Sequence, residues 1–411
     1  MVTISVLLGL SFLGGCKSRQ LTRPTIQMDI DAKFWVRVLL LDDAQSCTFK
    51  TAAPFGLSKG PTKPNAKTAD VRFDNVNVPV TIGISNGMIS VAGQSFVSRE
   101  VVIFTDDPYI FTLNGKDYRG NLRLIVNAGG SAFDAINLVP PDPYLAGVIG
   151  AEMPDYWEAE ALRAQAIAAR TYCFYIKRRF GVNRDWDVKQ TAASQVYSGL
   201  SAESARVWEA VNKTKGQVLV CKHAEGGEGI FPAYYSSTCG GHTENSKNVF
   251  GDSFEPLKGV SCPYCEQTAA PKLFFWPMTR FSKAEVQARL FGKYPALKKL
   301  KKITRISPAE QSDYEQFSRL TKVELVGSNG ESDTLRAEDF RLTVDPTGRK
   351  LKSSICKIMN WDNSWAFLSG RGWGHGVGMC QYGAEAMARS GSSTEEILAH
   401  YYPTSGIKSL Y

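Results

Sequence analysis

Val139-Pro-Pro-Asp-Pro-Tyr-Leu-Ala-Gly-Val-Ile-Gly-Ala-Glu-Met-Pro154 is where this chain changes character. Asp142 before Pro143 reads as a helix start, because an aspartate side chain satisfies free N–H groups and proline presets the first helical φ. The helix is expected to carry Tyr144, Leu145 and Val148 and to stop near Glu152-Met153-Pro154. A longer helix follows over 157–179, with Leu162, Ala166, Ala169, Cys173 and Ile176 at three- and four-residue steps along one stripe. Lys177, Arg178 and Arg179 complement its dipole, and Gly181 closes it. Upstream, residues 25–135 are β-rich: Phe34-Trp-Val-Arg-Val-Leu-Leu-Leu41 and Val101-Val-Ile-Phe-Thr105 are strands bounded by turn residues. Pro79 makes 76–82 an edge strand, and residues 54–67 read as a loop. Downstream come a helix over 202–213, a mixed insertion at 267–366 and a capping box, Ser393-Thr-Glu-Glu396. The fold class expected is α+β: a mixed α/β core over 136–411 preceded by a β-rich region.

With 411 residues, 43% hydrophobic and 21% charged, the chain has the composition of a soluble globular protein with room for more than one domain. The net charge of +8 is too dispersed to indicate nucleic acid and fits an anionic cell-envelope partner. Residues 2–13 are apolar and too short for a membrane span, and Leu13-Gly-Gly-Cys16 follows. Residues 1–16 therefore read as a signal peptide whose lipobox cysteine, Cys16, carries a lipid anchor. A plain signal peptide and a buried helix are the alternatives. The expected location is the periplasm or cell envelope, with membrane contact through the lipid anchor only.

Gly370-Arg-Gly-Trp-Gly-His-Gly-Val-Gly-Met-Cys-Gln-Tyr-Gly-Ala384 is too rich in glycine for regular structure. It is either a tight turn or a loop that a ligand approaches closely, with Arg371, Trp373 and His375 as gripping groups. No Gly-Lys-Ser/Thr follows, so a phosphate loop is excluded. Glu152 is the first acid to single out. A helix C-terminus and apolar neighbours both favour its protonated form, as a general acid requires, although a surface glutamate at a helix end has the same local sequence. Glu244 is a possible second carboxylate. His400 reads as core, and a Cys380–His375 protease pair lacks an orienting partner.

Cys239-Gly-Gly-His242 and Cys262-Pro-Tyr-Cys265 are two ligand pairs at the spacing of a closed, structural zinc site. A Cys262–Cys265 disulfide with His242 free is the alternative.

The opening stretch, together with Ala159-Glu-Ala-Leu-Arg-Ala-Gln-Ala-Ile-Ala-Ala-Arg-Thr-Tyr172, Gln195-Val-Tyr197, Tyr235-Ser-Ser-Thr-Cys-Gly-Gly-His-Thr-Glu244, the glycine run and Glu396-Ile-Leu-Ala-His-Tyr-Tyr402, resembles the SpoIID (sporulation stage II D) family over roughly 110–411. That resemblance implies a peptidoglycan lytic transglycosylase acting on glycan strands stripped of stem peptides. It would cleave the MurNAc–GlcNAc bond and leave a 1,6-anhydro end, with Glu152 as the single acid and base. It also implies Arg170, Gln195, Tyr197, Ser237, Arg371, His375, Gln381 and Tyr382 as substrate-binding residues, and strengthens the zinc set. Cys239 and Cys380 depart from the serine of many members. Two alternatives remain: a non-catalytic peptidoglycan binder that activates a cell-wall amidase, and a hydrolytic muramidase using Glu244 or Asp155.

Overall fold

The computed structural model describes residues 28–60, 69–74, 77–96, 98–224 and 226–411. Cys16 and the rest of the expected signal segment lie outside the described residues. The fold is α+β, with strands dominating the N-terminal part. Two layers form there, antiparallel except where Val188–Lys189, from further along the chain, joins Val36–Ala44 in parallel. One is a sheet of seven strands, in which Phe133–Val139 lies between Val36–Ala44 and Asn121–Val126. The other has six strands, with Ser46–Thr51 between Ile110–Leu113 and Val80–Ser85. Val38, Val101 and Leu122 of the first meet Phe49, Ile82 and Phe111 of the second in one buried cluster. Two expectations are corrected. Val80–Ser85 is an interior strand, because Pro79 sits just before the first paired residue, Val80, and removes no ladder N–H. Phe55–Lys59, placed in the expected loop, pairs with both Glu100–Thr105 and Val71–Phe73.

The strand Phe133–Val139 feeds directly into α1 (Pro141–Glu152). The helix begins two residues earlier than expected: Pro141 occupies the first turn, and Pro140, not Asp142, is the N-cap. Asp142 is thereby freed to accept a hydrogen bond from the Tyr411 hydroxyl at 3.0 Å. Met153 is extended (φ −133°, ψ 143°), as a residue before proline must be, so α1 ends on Glu152. Next, α2 (Ala159–Phe180) buries Leu162, Ala166, Ala169 and Cys173 as the periodicity predicts. Gly181 caps α2 in the ordinary right-handed region, at φ −64°. A glycine is needed there for space, because a Cβ would meet Asp187 Oδ1 at 2.3 Å. α3 (Ala205–Lys213) starts on a serine cap, with Ser204 accepting from the Val207 N–H.

Two glycines of α1 set the approach of the segment that follows α2. A Cβ on Gly147 would lie 2.4 Å from the Tyr197 ring, and one on Gly150 would lie 1.9 Å from the Ala202 carbonyl oxygen. The hydrophobic cluster of the β layers continues without a break through α1 and α2 to Cys262, Cys265 and Tyr402. A second cluster, from Trp276 to Phe367, belongs to the insertion. There a long hairpin, Ile303–Tyr314 with Phe317–Gly327, packs near the helix Ala337–Val344. No helix among the described residues is long and apolar enough to cross a membrane.

Gly150→Ala is expected to cost about 1–3 kcal/mol through overpacking against Ala202. Gly292→Ala, on a helix with open space around it, is expected to add about 0.5–1 kcal/mol. Urea unfolding midpoints that fail to move in opposite directions would contradict this account.

Candidate active site

Glu152 opens into a cleft of about 680 Å³ between the main core and the insertion. On the core side it is lined by Tyr172, Val196, Tyr235, Ser236, Phe250 and Gln381, with Ser237, Trp373 and His375 beside them. The facing wall comes from the helix Ala337–Val344 and the turn after it, including Glu338, Asp339, Arg341 and Thr347.

The glycine run builds one side. Gly372, Gly374, Gly376 and Gly378 all have positive φ, between 69° and 103°. A side chain is disfavoured at each of these positions. Gly370 is needed for another reason: its Cβ would lie 1.9 Å from the Trp276 indole. This crankshaft lies against the segment 235–244. Tyr235 and Ser236 pair in parallel with Met379 and Cys380, while Thr238 and Glu244 bridge to Trp373 and Val377. Ser236, Ser237, His375 and Gln381 are thereby brought to one wall.

The Glu152 carboxylate accepts the Val196 N–H at 2.8 Å. Burial raises its pKa above the ordinary carboxylate value, and the Val196 N–H and the nearby Gln381 amide offset part of that rise. Gln381 Nε2 itself has no partner within ordinary hydrogen-bond geometry, and neither has Ser236 Oγ. Two buried polar atoms on cleft-lining residues are therefore unsatisfied, which costs about 1–3 kcal/mol each. His375 is neutral: burial pulls its pKa down to about 4, and its Nδ1 accepts the Val377 N–H at 3.0 Å. The other carboxylates on the lining are engaged by arginines. Glu338 pairs with Arg341 at 2.5 Å and Asp339 with Arg336 at 2.7 Å.

Of the expected site residues, Glu152, Ser237, His375 and Gln381 come together in the cleft. The others line it nowhere; they hold the walls in place. Arg170 is fully buried and donates to the Gln217 carbonyl at 3.1 Å, tying α2 to the strand Gln217–Lys222. Gln195 bridges behind the wall, accepting from Tyr144 at 2.9 Å and donating to the Tyr235 hydroxyl at 2.8 Å. Tyr197 donates to Asn137 at 2.9 Å beneath α1. Arg371 lies over the Phe274 and Phe317 rings and bonds Gln316. Tyr382 packs edge-on to Trp157, with ring centroids 4.8 Å apart. Glu244 is also buried away from the cleft, with its oxygens taken by Asn245, Asn248, Ser312 and Tyr314. Asp155 is exposed and lines no part of the cleft. Ser236, Tyr172 and Tyr235 were not singled out from the sequence. Tyr235 and Ser236 stand inside a quoted motif, but nothing local distinguishes them from their neighbours.

The metal set is corrected at one position. The Sγ atoms of Cys239, Cys262, Cys265 and Cys380 lie within 4.8 Å of one another, all buried. His242 is elsewhere: its ring stacks on Tyr314 at 4.2 Å and its Nδ1 meets the Thr243 carbonyl at 2.6 Å. Cys380 takes its place because the pairing of Ser236 with Cys380 carries that thiol to the Cys239 N–H, 3.2 Å away. The four cysteines are free thiols rather than disulfides. Four converging sulfurs suit a closed tetrahedral site, whose Zn–S bonds of about 2.3 Å place the sulfurs at comparable separations.

Residues 129–221 match the family model described as SpoIID, stage II sporulation protein. Over 353 residues the chain is 32% identical to an uncharacterized protein of Brachyspira hyodysenteriae, covering 85% of this chain and 88% of that one. It is 30% identical over 292 residues to the stage II sporulation protein D of Bacillus subtilis, covering 66% and 75%. Against the amidase enhancer of the same organism it is 28% identical over 336 residues, 71% of this chain but only 44% of that relative.

The geometry predicts that protein purified without chelator carries one zinc per chain by elemental analysis. Cys380→Ser should lose most of it and His242→Ala should keep it; the reverse pattern would restore the histidine as ligand.

Proposed function

This chain belongs to the stage II sporulation protein D family, and on that premise we propose that it is an exported peptidoglycan lytic transglycosylase. A relative named amidase enhancer suits work on the cell wall beside an amidase, whose product would be the denuded glycan this cleft accepts. The observation that carries the reading is the isolation of Glu152. It is the one carboxyl on the cleft lining without an arginine partner among the described residues, and burial favours its protonated form.

One such group suffices for anhydro-ring formation. Protonated Glu152 gives its proton to the glycosidic oxygen as the bond to the muramoyl C1 breaks, releasing the leaving sugar as an alcohol. The resulting carboxylate then takes the proton of the muramoyl 6-hydroxyl as that oxygen bonds to C1. The glutamic acid is regenerated and no water is consumed. A two-carboxylate hydrolase would need a second free acid to activate water or form a glycosyl ester. Glu244 and Asp155 lie outside the cleft, so neither serves. Neutral His375 cannot replace Glu152 as the initial proton source near neutral pH. Ser236 and Gln381 supply donors for substrate oxygens.

Cys239, Cys262, Cys265 and Cys380 would hold a zinc ion. With four protein ligands its chemistry is structural, pinning the loop that carries Ser236 and Ser237 to the start of the helix that carries Gln381. Cys16, outside the described residues, remains the proposed lipid attachment point.

Amidase-stripped glycan strands incubated with the protein should yield anhydro ends by mass spectrometry, and Glu152→Gln should lower the rate by about 10²–10⁴-fold. Reducing muramoyl ends would indicate hydrolysis, and an intact substrate would indicate a non-catalytic amidase partner. Activity requires the protonated acid, so kcat/KM should fall as pH rises through the Glu152 pKa. The Gln381 amide favours the ionised carboxyl; Gln381→Met should therefore raise that pKa and move the alkaline limb to higher pH. A limb that stays put or moves down would separate Gln381 from the acid.

A further inference from the structure

A second cavity, of about 660 Å³, lies at the far end of α2. Its floor is apolar: Phe34, Phe174, Val218, Val220 and Ile230, with Leu410 at the side. Its rim is cationic: Lys33, Arg37, Lys177, Arg178, Arg184 and Lys408. Among the described residues the single carboxylate on the lining, Asp187, is fully buried and is taken up by Arg37 at 2.7 Å and Lys177 at 3.0 Å. Lys33 and Lys408 have acidic neighbours, Asp31 and Glu228. Arg178 and Arg184 are exposed and have no carboxylate partner among the described residues.

An apolar point projects between these two arginines. Val182, in the turn Gly181–Asn183, is 77% exposed. Beside it the Arg184 guanidinium lies over both the Phe180 ring, at 5.0 Å, and the Trp186 ring, at 4.9 Å, while Arg179 covers Phe180 from another side at 5.3 Å. Charged heads over aromatic and aliphatic bodies are the amphipathic arrangement of a surface that meets water on one side and an apolar phase on the other.

We propose that this face, centred on Arg178, Val182 and Arg184, docks on an anionic lipid bilayer. The cations meet phosphate headgroups, Val182 enters the apolar boundary, and the apolar-floored cavity receives part of a lipid. A nucleic acid or a soluble polyanion would satisfy the arginines but would leave Val182 and the cavity floor in water. Each basic residue held near such a surface contributes about 1 kcal/mol, so Arg178 and Arg184 together account for roughly a 30-fold change in partitioning. The face is distinct from the Glu152 cleft. Tyr172 of α2 lines the cleft and Arg178 lines the cavity, six residues further on or about 9 Å along the helix axis. Membrane contact is thus not confined to a lipid anchor.

The test uses the full chain bearing Cys16→Ser, so that acylation cannot contribute. Co-sedimentation is measured with vesicles of equimolar phosphatidylglycerol and phosphatidylcholine, and with phosphatidylcholine vesicles alone. Binding to the mixed vesicles only is expected, weakened by salt. The double variant Arg178→Gln/Arg184→Gln should weaken it roughly 30-fold, and Val182→Asp should weaken it with the arginines intact. All three positions are exposed, and unchanged thermal unfolding checks that the variants fold. No binding to either vesicle, equal binding to both, or unaltered binding of the variants would overturn the proposal. So would binding to dextran sulfate that matches the mixed vesicles and ignores Val182→Asp, which would make this a polyanion site. Anhydro-product formation on soluble glycan is unaffected by these variants, so failure here leaves the Glu152 assignment standing.

Discussion

The site depends on one backbone contact, the parallel pairing of Tyr235 and Ser236 with Met379 and Cys380. It joins two segments separated in sequence by the entire insertion, and it is only two residues long on each side. Such a short ladder is weak by itself. The thiol cluster reinforces it, with Cys239 on one segment, Cys380 on the other, and Cys262 and Cys265 closing the set. The insertion is also held where it leaves and returns, through Phe275 and Trp276 against Arg371 and Gly370. The Ala337–Val344 helix can therefore form a fixed opposite wall.

Two glutamates, Glu152 half-buried and Glu244 buried, show how environment divides their roles. Glu244 is surrounded by donors from Asn245, Asn248, Ser312 and Tyr314, with Arg319 3.7 Å away. It welds the insertion hairpin to the loop 239–244 and has nothing left for a substrate. Glu152 has one firm donor, Val196, and an open cleft before it. Burial with few compensating donors leaves a carboxyl reluctant to ionise, whereas burial with many makes a structural anchor.

Periodicity and some helix ends were legible in the sequence, because they follow from local rules: Met153 before Pro154, the stripe on α2, the capping box at Ser393 and Glu396, though not the start of α1, where Pro140 and not Asp142 is the cap. The glycine run was legible for the same reason, whereas Glu152 stood out only with the family resemblance, because a surface glutamate at a helix end has the same local sequence. What a motif cannot display is the direction a side chain faces. Arg170, Gln195 and Tyr197 are polar residues within recognisable stretches, yet each turns inward to satisfy backbone or side-chain groups behind the cleft. His242 matched a ligand spacing, but spacing is blind to Cys380, which reaches the thiol cluster only through tertiary pairing. Pro79 was misplaced because one residue of register decides whether its missing N–H matters.

The order of the cysteines along the chain has a kinetic consequence. Cys239, Cys262 and Cys265 precede the insertion and Cys380 follows it. A polypeptide emerging N-terminus first exposes Glu152 early, on a helix that can pack at once against the β layers. The wall bearing His375 and Gln381 arrives only after the insertion has been synthesised, and long-range closure of this kind is intrinsically late in folding. A partly emerged chain thus holds Glu152 without the facing wall, so the cleft is complete only when the molecule is whole.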